Sequence, residues 1–286
     1  KMEIKASQVK ELRDMSGVAM MECKRALVEC EGDLDKALDL LRSNSSLKAE
    51  KKASRVAADG VIRIVSSDSY ATIIEINSET DFAAKDPGFI AFADDVVNYV
   101  SNNKVDNISM FASTEIEEKR LALIQKIGEN IQLRRMETIE FDNSMSVGSY
   151  MHSDGKLATL VVTSNSDDNL AKDVAMHIAA SNPLCKTPDD IDSEVLEREK
   201  AIFEVQAKES GKDDAIMNKM VEGKVRKFLA EVSLTSQAFI KDPDMTVGKL
   251  LSDNGADVTG YVRFKVGEGI EVETKSFADE VADQLK

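Results

Sequence analysis

One pattern in this chain occurs twice, and the repeat restricts the fold more than any single motif does. Ala71-Thr72-Ile73-Ile74 is followed by Phe92-Ala93-Asp94-Asp95-Val96, and Ala158-Thr159-Leu160-Val161 is followed by Leu170-Ala171-Lys172-Asp173-Val174. Each time an apolar run suited to a strand passes into a spacing suited to a helix. Each strand is also preceded by another across a turn. Val61, Ile62, Ile64 and Val65 lead into Ser66-Ser67-Asp68-Ser69, and Gly148-Ser149-Tyr150-Met151-His152 turns near Asp154-Gly155. In the first copy the helix over Phe89–Val100 is followed by a further helix over 115–128 and a strand over 130–141. In the second an edge strand carries Tyr261, Phe264 and Val266, and Gly267 and Gly269 flank Glu268 in a turn. The reading is an α+β fold built on two related α/β halves with antiparallel sheets.

Three regions fall outside the repeat. Residues 4–42 space their apolar side chains as three short helices, through Val9, Leu12 and Met15, then Met21, Cys23, Ala26, Leu27 and Cys30, then Leu34, Ala37, Leu38 and Leu41. So small a bundle has little core of its own and suits docking. The basic stretch Leu47–Arg55 reads as a solvated helical linker. Residues 193–207 and 213–231 form a helical hairpin, with Val195, Ile202 and Val205 on one seam. Met217, Met220, Val221, Val225, Phe228 and Val232 mark the other. A final helix has Ser276 as its cap and Phe277, Val281 and Leu285 on one face. The expected divisions are 1–55 for the bundle and linker, 56–145 for the first half, and 146–183 with 230–272 for the second. The hairpin is expected over 184–229 as an insertion, and the terminal helix over 273–286.

Composition limits the function. The net charge is −15 with a pI near 4.7, so the overall field opposes nucleic acid and favours a protein partner. Tryptophan is absent and aromatic residues make up 5%, which leaves few platforms for base stacking. No apolar run is long enough for a membrane span and no apolar leader opens the chain, so a cytoplasmic protein is expected. Cys23, Cys30 and Cys185 have no zinc or disulfide spacing. His152 and His177 are the two histidines, and neither sits in a catalytic motif; His177 shares a helix face with Val174 and Ile178, which suits packing. Phosphate-binding glycine motifs and nucleophile elbows are missing, so no cofactor is expected. Glu79, Asp81 and Asp86 lie close enough in sequence to consider as a metal site, although without EF-hand spacing.

The segment Ile76-Asn77-Ser78-Glu79-Thr80-Asp81-Phe82-Ala83-Ala84-Lys85-Asp86 resembles the signature of the elongation factor Ts family. The run Val9-Lys10-Glu11-Leu12-Arg13 with Ser16-Gly17-Val18-Ala19-Met20-Met21-Glu22-Cys23-Lys24 is similar to that family's first module. Lys126-Ile127-Gly128-Glu129-Asn130-Ile131, Ala175-Met176-His177-Ile178 and Gly260-Tyr261-Val262-Arg263-Phe264 follow in family order. Ala83 stands where relatives often carry a larger aliphatic, and Ser78 where some carry cysteine.

The resemblance implies a UBA-like N-terminal module, a two-half core, a coiled-coil hairpin and a C-terminal helix. It implies guanine-nucleotide exchange on elongation factor Tu, in GDP-bound and nucleotide-free forms, without covalent chemistry, a bound metal or contact with nucleic acid or membrane. Thr80, Asp81, Phe82 and Ala83 would disturb the partner's Mg²⁺ site, with Ile127 and Gly128 pressing the same area. Arg13, Met20, Met21 and Lys24 would hold the nucleotide-base side, and His152 and Val232 would face another partner domain. Taken without the family, Phe82 reads as a core residue at a strand-to-helix turn. A binding adaptor using the bundle and hairpin, and an enzyme using the acidic cluster with a metal, are the competing readings.

Overall fold

The computed structural model describes residues 4–272. The terminal helix expected over 273–286 lies outside the described residues. The described chain is mixed helix and sheet and forms two compact units. The first draws on residues 1–65, 72–137 and those from 264 on; the second on 66–71 and 138–263. Among the described residues no helix is long and apolar enough to cross a membrane.

The first unit opens with helices α1 (Ala6–Ser16), α2 (Met20–Glu29) and α3 (Leu34–Lys52). Gly17 ends α1 in the left-handed region, where a side chain is strained, and returns its N–H to Arg13 O. Asp33 caps α3 by accepting from Lys36 N at 3.0 Å. Val9, Leu12, Cys23, Leu27, Ala37 and Leu41 close the bundle core. Met15, which the spacing places in that core, is exposed and instead lines an open groove of about 610 Å³ with Leu38, Leu41 and Leu121.

The basic stretch differs from expectation. α3 continues to Lys52, and Ser45 and Ala49 are buried. Leu41, Ser45 and Ala49 recur every fourth residue, a stripe of mostly small side chains that a search for large apolar residues passes over. Along it α3 packs against α6 (Glu115–Ile127). Ala49 joins the core of the first half, so this stretch is an anchored helix and not a linker.

Strands β1 (Asp59–Ser66), β2 (Tyr70–Ser78) and β3 (Gln132–Glu140) form a sheet in the order β1-β2-β3. The central strand β2 is buried along its whole length. A four-residue helix, α4 (Asp81–Ala84), separates it from α5 (Pro87–Asn103). Phe89, Phe92, Val96, Ile74, Ile76 and Ile124 form the centre of this core; each such side chain contributes about 1.5–3 kcal/mol on full burial. One charge lies inside. Glu75 is fully buried and accepts from Arg134 Nη1 at 2.9 Å, from Arg135 Nε, and from Gly267 N at 2.8 Å. Arg134 also donates to Glu268 O and Arg135 to Lys265 O, and the Arg135 guanidinium stacks 4.1 Å above the Phe264 ring. A carboxylate this deep is tolerated because both of its oxygens are engaged by charged or main-chain donors; removing one partner costs about 3–5 kcal/mol.

In the second unit β4 (Met145–Met151) and β5 (Leu157–Ser164) are antiparallel, and β8 (Asp257–Lys265) adds to β5 as an edge strand. Helix α7 (Asp168–Ser181) packs on β4 and β5 so closely that a Cβ at Gly148 would sit 2.1 Å from Ala171 O. His177 of α7 is buried: Nδ1 accepts from Ile240 N at 3.3 Å, which leaves Nε2 to donate to Gln237 Oε1 at 2.9 Å. Burial holds its pKa below the usual 6.5, with the Gln237 bond opposing. The packing role expected for this histidine is the one observed.

The hairpin consists of α8 (Ser193–Glu209) and α9 (Asp214–Val232), capped by Asp192 and Asp213. On α9 the expected seam residues Val221 and Phe228 do face the partner arm, but on α8 the seam differs from the expected one. Phe203 meets Phe228 edge-on at 6.3 Å, and Ala207 and Val221 are buried, whereas Ile202 and Val205 face outward. Phe203 and Ala207 are one helical turn apart, and Ile202 and Val205 flank that line, so apolar character alone selected the wrong side chains. The short strands β6 (Ala238–Phe239) and β7 (Asp242–Thr246) and helix α10 (Val247–Asp253) were not anticipated; they bring Phe239, Val247 and Leu251 to the second core.

Candidate functional site

The turn after β2 is held by several hydrogen bonds although it lies at the surface. Ser78 Oγ donates to Thr80 O at 2.9 Å, and Thr80 Oγ1 accepts from Ala83 N at 3.2 Å, capping α4. Asp81 occupies the first helical position, where a negative charge suits the helix dipole, and pairs with Lys85 at 2.7 Å. Asp86 then caps α5, accepting from Gly88 N at 2.7 Å. With Ala83 and Ala84 directed into the fold, the helical period points Phe82 away from it. Phe82 is 81% exposed. The core placement that its sequence context allowed is therefore not the observed one.

The end of α6 lies beside this turn. Gly128 caps α6 at φ +88°, a conformation that suits glycine, and donates to Ile124 O at 2.9 Å. Ile127 is half-buried at the margin of the first core. Lys52 Nζ donates to Gly128 O, which ties the bundle's last helix to the same turn. Two carboxylates then cross between the loops. Glu129 accepts from Thr80 N at 3.0 Å through Oε2 and from Thr80 Oγ1 at 2.7 Å through Oε1. Glu79 Oε1 accepts from Asn130 N at 2.6 Å, with Arg55 3.5 Å away. The structure thus brings Thr80, Asp81, Phe82 and Ala83 together with Ile127 and Gly128. Sequence reasoning missed Glu79 and Glu129 as partners; each stands next to an expected site residue, but nothing in the spacing says that they cross.

The bundle presents a separate face. Met20 and Met21 are 47% and 62% exposed, and Arg13 and Lys24 are exposed beside them in sequence. Val28 extends the face; it lies seven residues after Met21, a helical spacing that the sequence already contains. This bundle is held to α6 by Glu22, which accepts from Lys48 Nζ at 2.6 Å and Gln125 Nε2 at 2.9 Å. Those two bonds, Lys48 first, hold the Glu22 carboxyl below its usual 4.5.

His152 and Val232 belong to the second unit. His152 is exposed at the β4–β5 turn, with Nδ1 3.1 Å from Asp154 Oδ1. Val232 is half-buried at the end of α9, and its carbonyl accepts from Leu184 N at 2.8 Å.

The three carboxylates considered as a metal cluster are engaged separately: Glu79 by Asn130, Asp81 by Lys85 and Asp86 as a helix cap. Among the described residues no group of three or more His, Cys, Asp or Glu is placed to hold a metal.

A family profile described as Elongation factor TS matches residues 79–268. A protein named Elongation factor Ts from Hahella chejuensis is 51% identical over 285 residues, covering 99% of each chain. Proteins of the same name from Saccharophagus degradans and Francisella tularensis subsp. novicida are 49% and 47% identical, covering 98% or more of each chain.

Proposed function

The chain belongs to the elongation factor Ts family, and from that premise we propose that it is a guanine-nucleotide exchange factor that binds elongation factor Tu with GDP, dislodges Mg²⁺ and lets GDP leave. The observation that carries this reading is Phe82, a large apolar side chain exposed on a braced turn. Full burial of such a side chain in a partner's pocket is worth about 1.5–3 kcal/mol. That gain offsets distortion of the partner if the pocket opens only when nucleotide has gone. Mg²⁺ is a sensitive target, because it needs near-octahedral ligands at about 2.0–2.1 Å and a small shift breaks the site.

In this reading Thr80, Asp81, Phe82 and Ala83 form the wedge, with Ile127 and Gly128 pressing beside it. Arg13, Met20, Met21 and Lys24 grip the partner from the bundle, and His152 and Val232 meet another of its domains. The factor performs no covalent step. Linkage gives the exchange: whatever ratio the factor imposes on GDP affinity, GDP imposes on the factor. The two displace each other in turn, and GTP completes the cycle.

The test is release of a fluorescent GDP analogue from elongation factor Tu at saturating Mg²⁺. Catalytic amounts of this chain are expected to accelerate it, with no hydrolysis of the nucleotide. Unchanged release, or tight binding to the partner without acceleration, would overturn the reading in favour of an adaptor.

A further inference from the structure

The α4 turn carries more bracing than a four-residue surface helix needs. Thr80 N, Thr80 Oγ1 and Asn130 N all donate across the gap between two loops, and the acceptors are the carboxylates of Glu129 and Glu79. The arrangement is reciprocal: each glutamate reaches the main chain beside the other. Bonds to an ionised acceptor are stronger than neutral ones; two of them fall on Thr80, two residues before Phe82, and the third falls on Glu79 beside it.

A rigid mount matters for an exposed aromatic side chain that must enter a pocket. A mobile turn would lose its freedom on every encounter, and that loss is subtracted from affinity; a turn already held in place has little left to lose. We propose that Glu79 and Glu129 are positioning residues for Phe82: their crossed carboxylates lock the α4 turn to the Gly128 turn, so that Phe82 and Ile127-Gly128 meet a partner as one preformed surface. The proposal rests on the wedge reading of Phe82, and its test is arranged to separate the two.

The chain contains no tryptophan, so Phe82→Trp places a single indole reporter on the turn. In the free factor, Glu129→Ala in that background is expected to add a fast component to the time-resolved anisotropy of the indole. The thermal midpoint should stay within a few degrees, because the bonds lost are at the surface. In the chain with native Phe82, Glu129→Ala is expected to slow GDP release about fivefold, mainly through weaker binding of the GDP-loaded partner. Glu129→Gln keeps one acceptor oxygen and is expected to fall between, as rescue by a conservative variant. Glu79→Ala supplies the second variant should Glu129→Ala fold poorly. An indole as immobile in both alanine variants as in their parent overturns the proposal. So do parental release rates in both variants when Phe82→Ala is slow. If Phe82→Ala itself releases GDP at the parental rate, the wedge reading falls, and loosening of the indole in Glu129→Ala still upholds the clamp.

Discussion

The two halves of this protein pass from strand to helix by different routes. In the second, β5 leads through Asn165 and Ser166 into α7, and Asp167 caps the helix by accepting from Leu170 N at 2.8 Å. That turn is polar and compact. In the first half, at the same point of the repeat, β2 is followed by a separate four-residue helix that turns Phe82 into solvent before α5 begins. The fold needs only the first kind of turn. Ala83 and Ala84 of the added helix are buried, but the exposed Phe82 and the crossed carboxylates are no part of the core, which is why we propose that they serve a partner.

The comparison breaks most easily at Phe82. Phe82→Ala is expected to slow partner-stimulated GDP release at least about tenfold, equivalent to 1.4 kcal/mol, while Asn169→Ala, in the opening turn of α7, leaves it unchanged. Thermal melting should be the same for both, since neither side chain is buried. Equal release rates for the two variants would show the halves to be equivalent after all.

A smaller effect sharpens the mechanism. When Mg²⁺ is titrated away with EDTA, unassisted GDP release speeds up and the deficit of Phe82→Ala should shrink to less than about threefold, because the wedge no longer has an ion to displace. A deficit that stays constant across the titration would make the turn a docking contact only.

The second half should respond to the opposite kind of change. Asp167→Ala removes the cap of α7 and is expected to cost about 1 kcal/mol of stability, read as faster hydrogen exchange in α7, with no effect on GDP release. The smallest effect is on pH. Burial lowers the His177 pKa in the folded state, so the unfolded chain binds the proton more readily. This contribution to stability is therefore complete above the ordinary value of 6.5 and is lost as pH falls below it toward the folded value. His177→Gln should flatten the dependence between pH 7 and that lower limit, measured by denaturant unfolding of the second half.

Much of this architecture was legible because large apolar side chains recur with the periods of strands and helices. Ile73, Ile74, Phe89 and Phe92 announced the first half, and Leu160, Val161 and Val174 the second. What escaped was carried by small or polar residues. Ser45 and Ala49 anchor α3 without any hydrophobic signal, and on α8 the inward line of Phe203 and Ala207 was masked by Ile202 and Val205, which are apolar but face outward. At the site, the family signature picked out Thr80–Ala83, but chemistry alone assigned Phe82 to the core. An exposed phenylalanine violates the ordinary preference, and such a violation cannot be seen until the neighbouring alanines are known to take the interior. The clamp was invisible for another reason: Thr80 N and Asn130 N are main-chain donors, and any residue but proline supplies one.

The buried Glu75 has a consequence for how the chain is made. Arg134 and Arg135 are available to it once the first half has been synthesised, but the third donor, Gly267 N, lies 192 residues further along the chain than Glu75. The first unit resumes only at residue 264, after leaving off at 137. At about 5–20 residues per second, that interval lasts roughly 6–25 s on the ribosome. Throughout it Glu75 lacks the main-chain donor that completes its contacts, while the whole intervening unit is being produced. A chain released early would retain two arginines on that carboxylate and lack the peptide N–H that completes it, so truncation after the second unit should mark the product for chaperones or proteolysis.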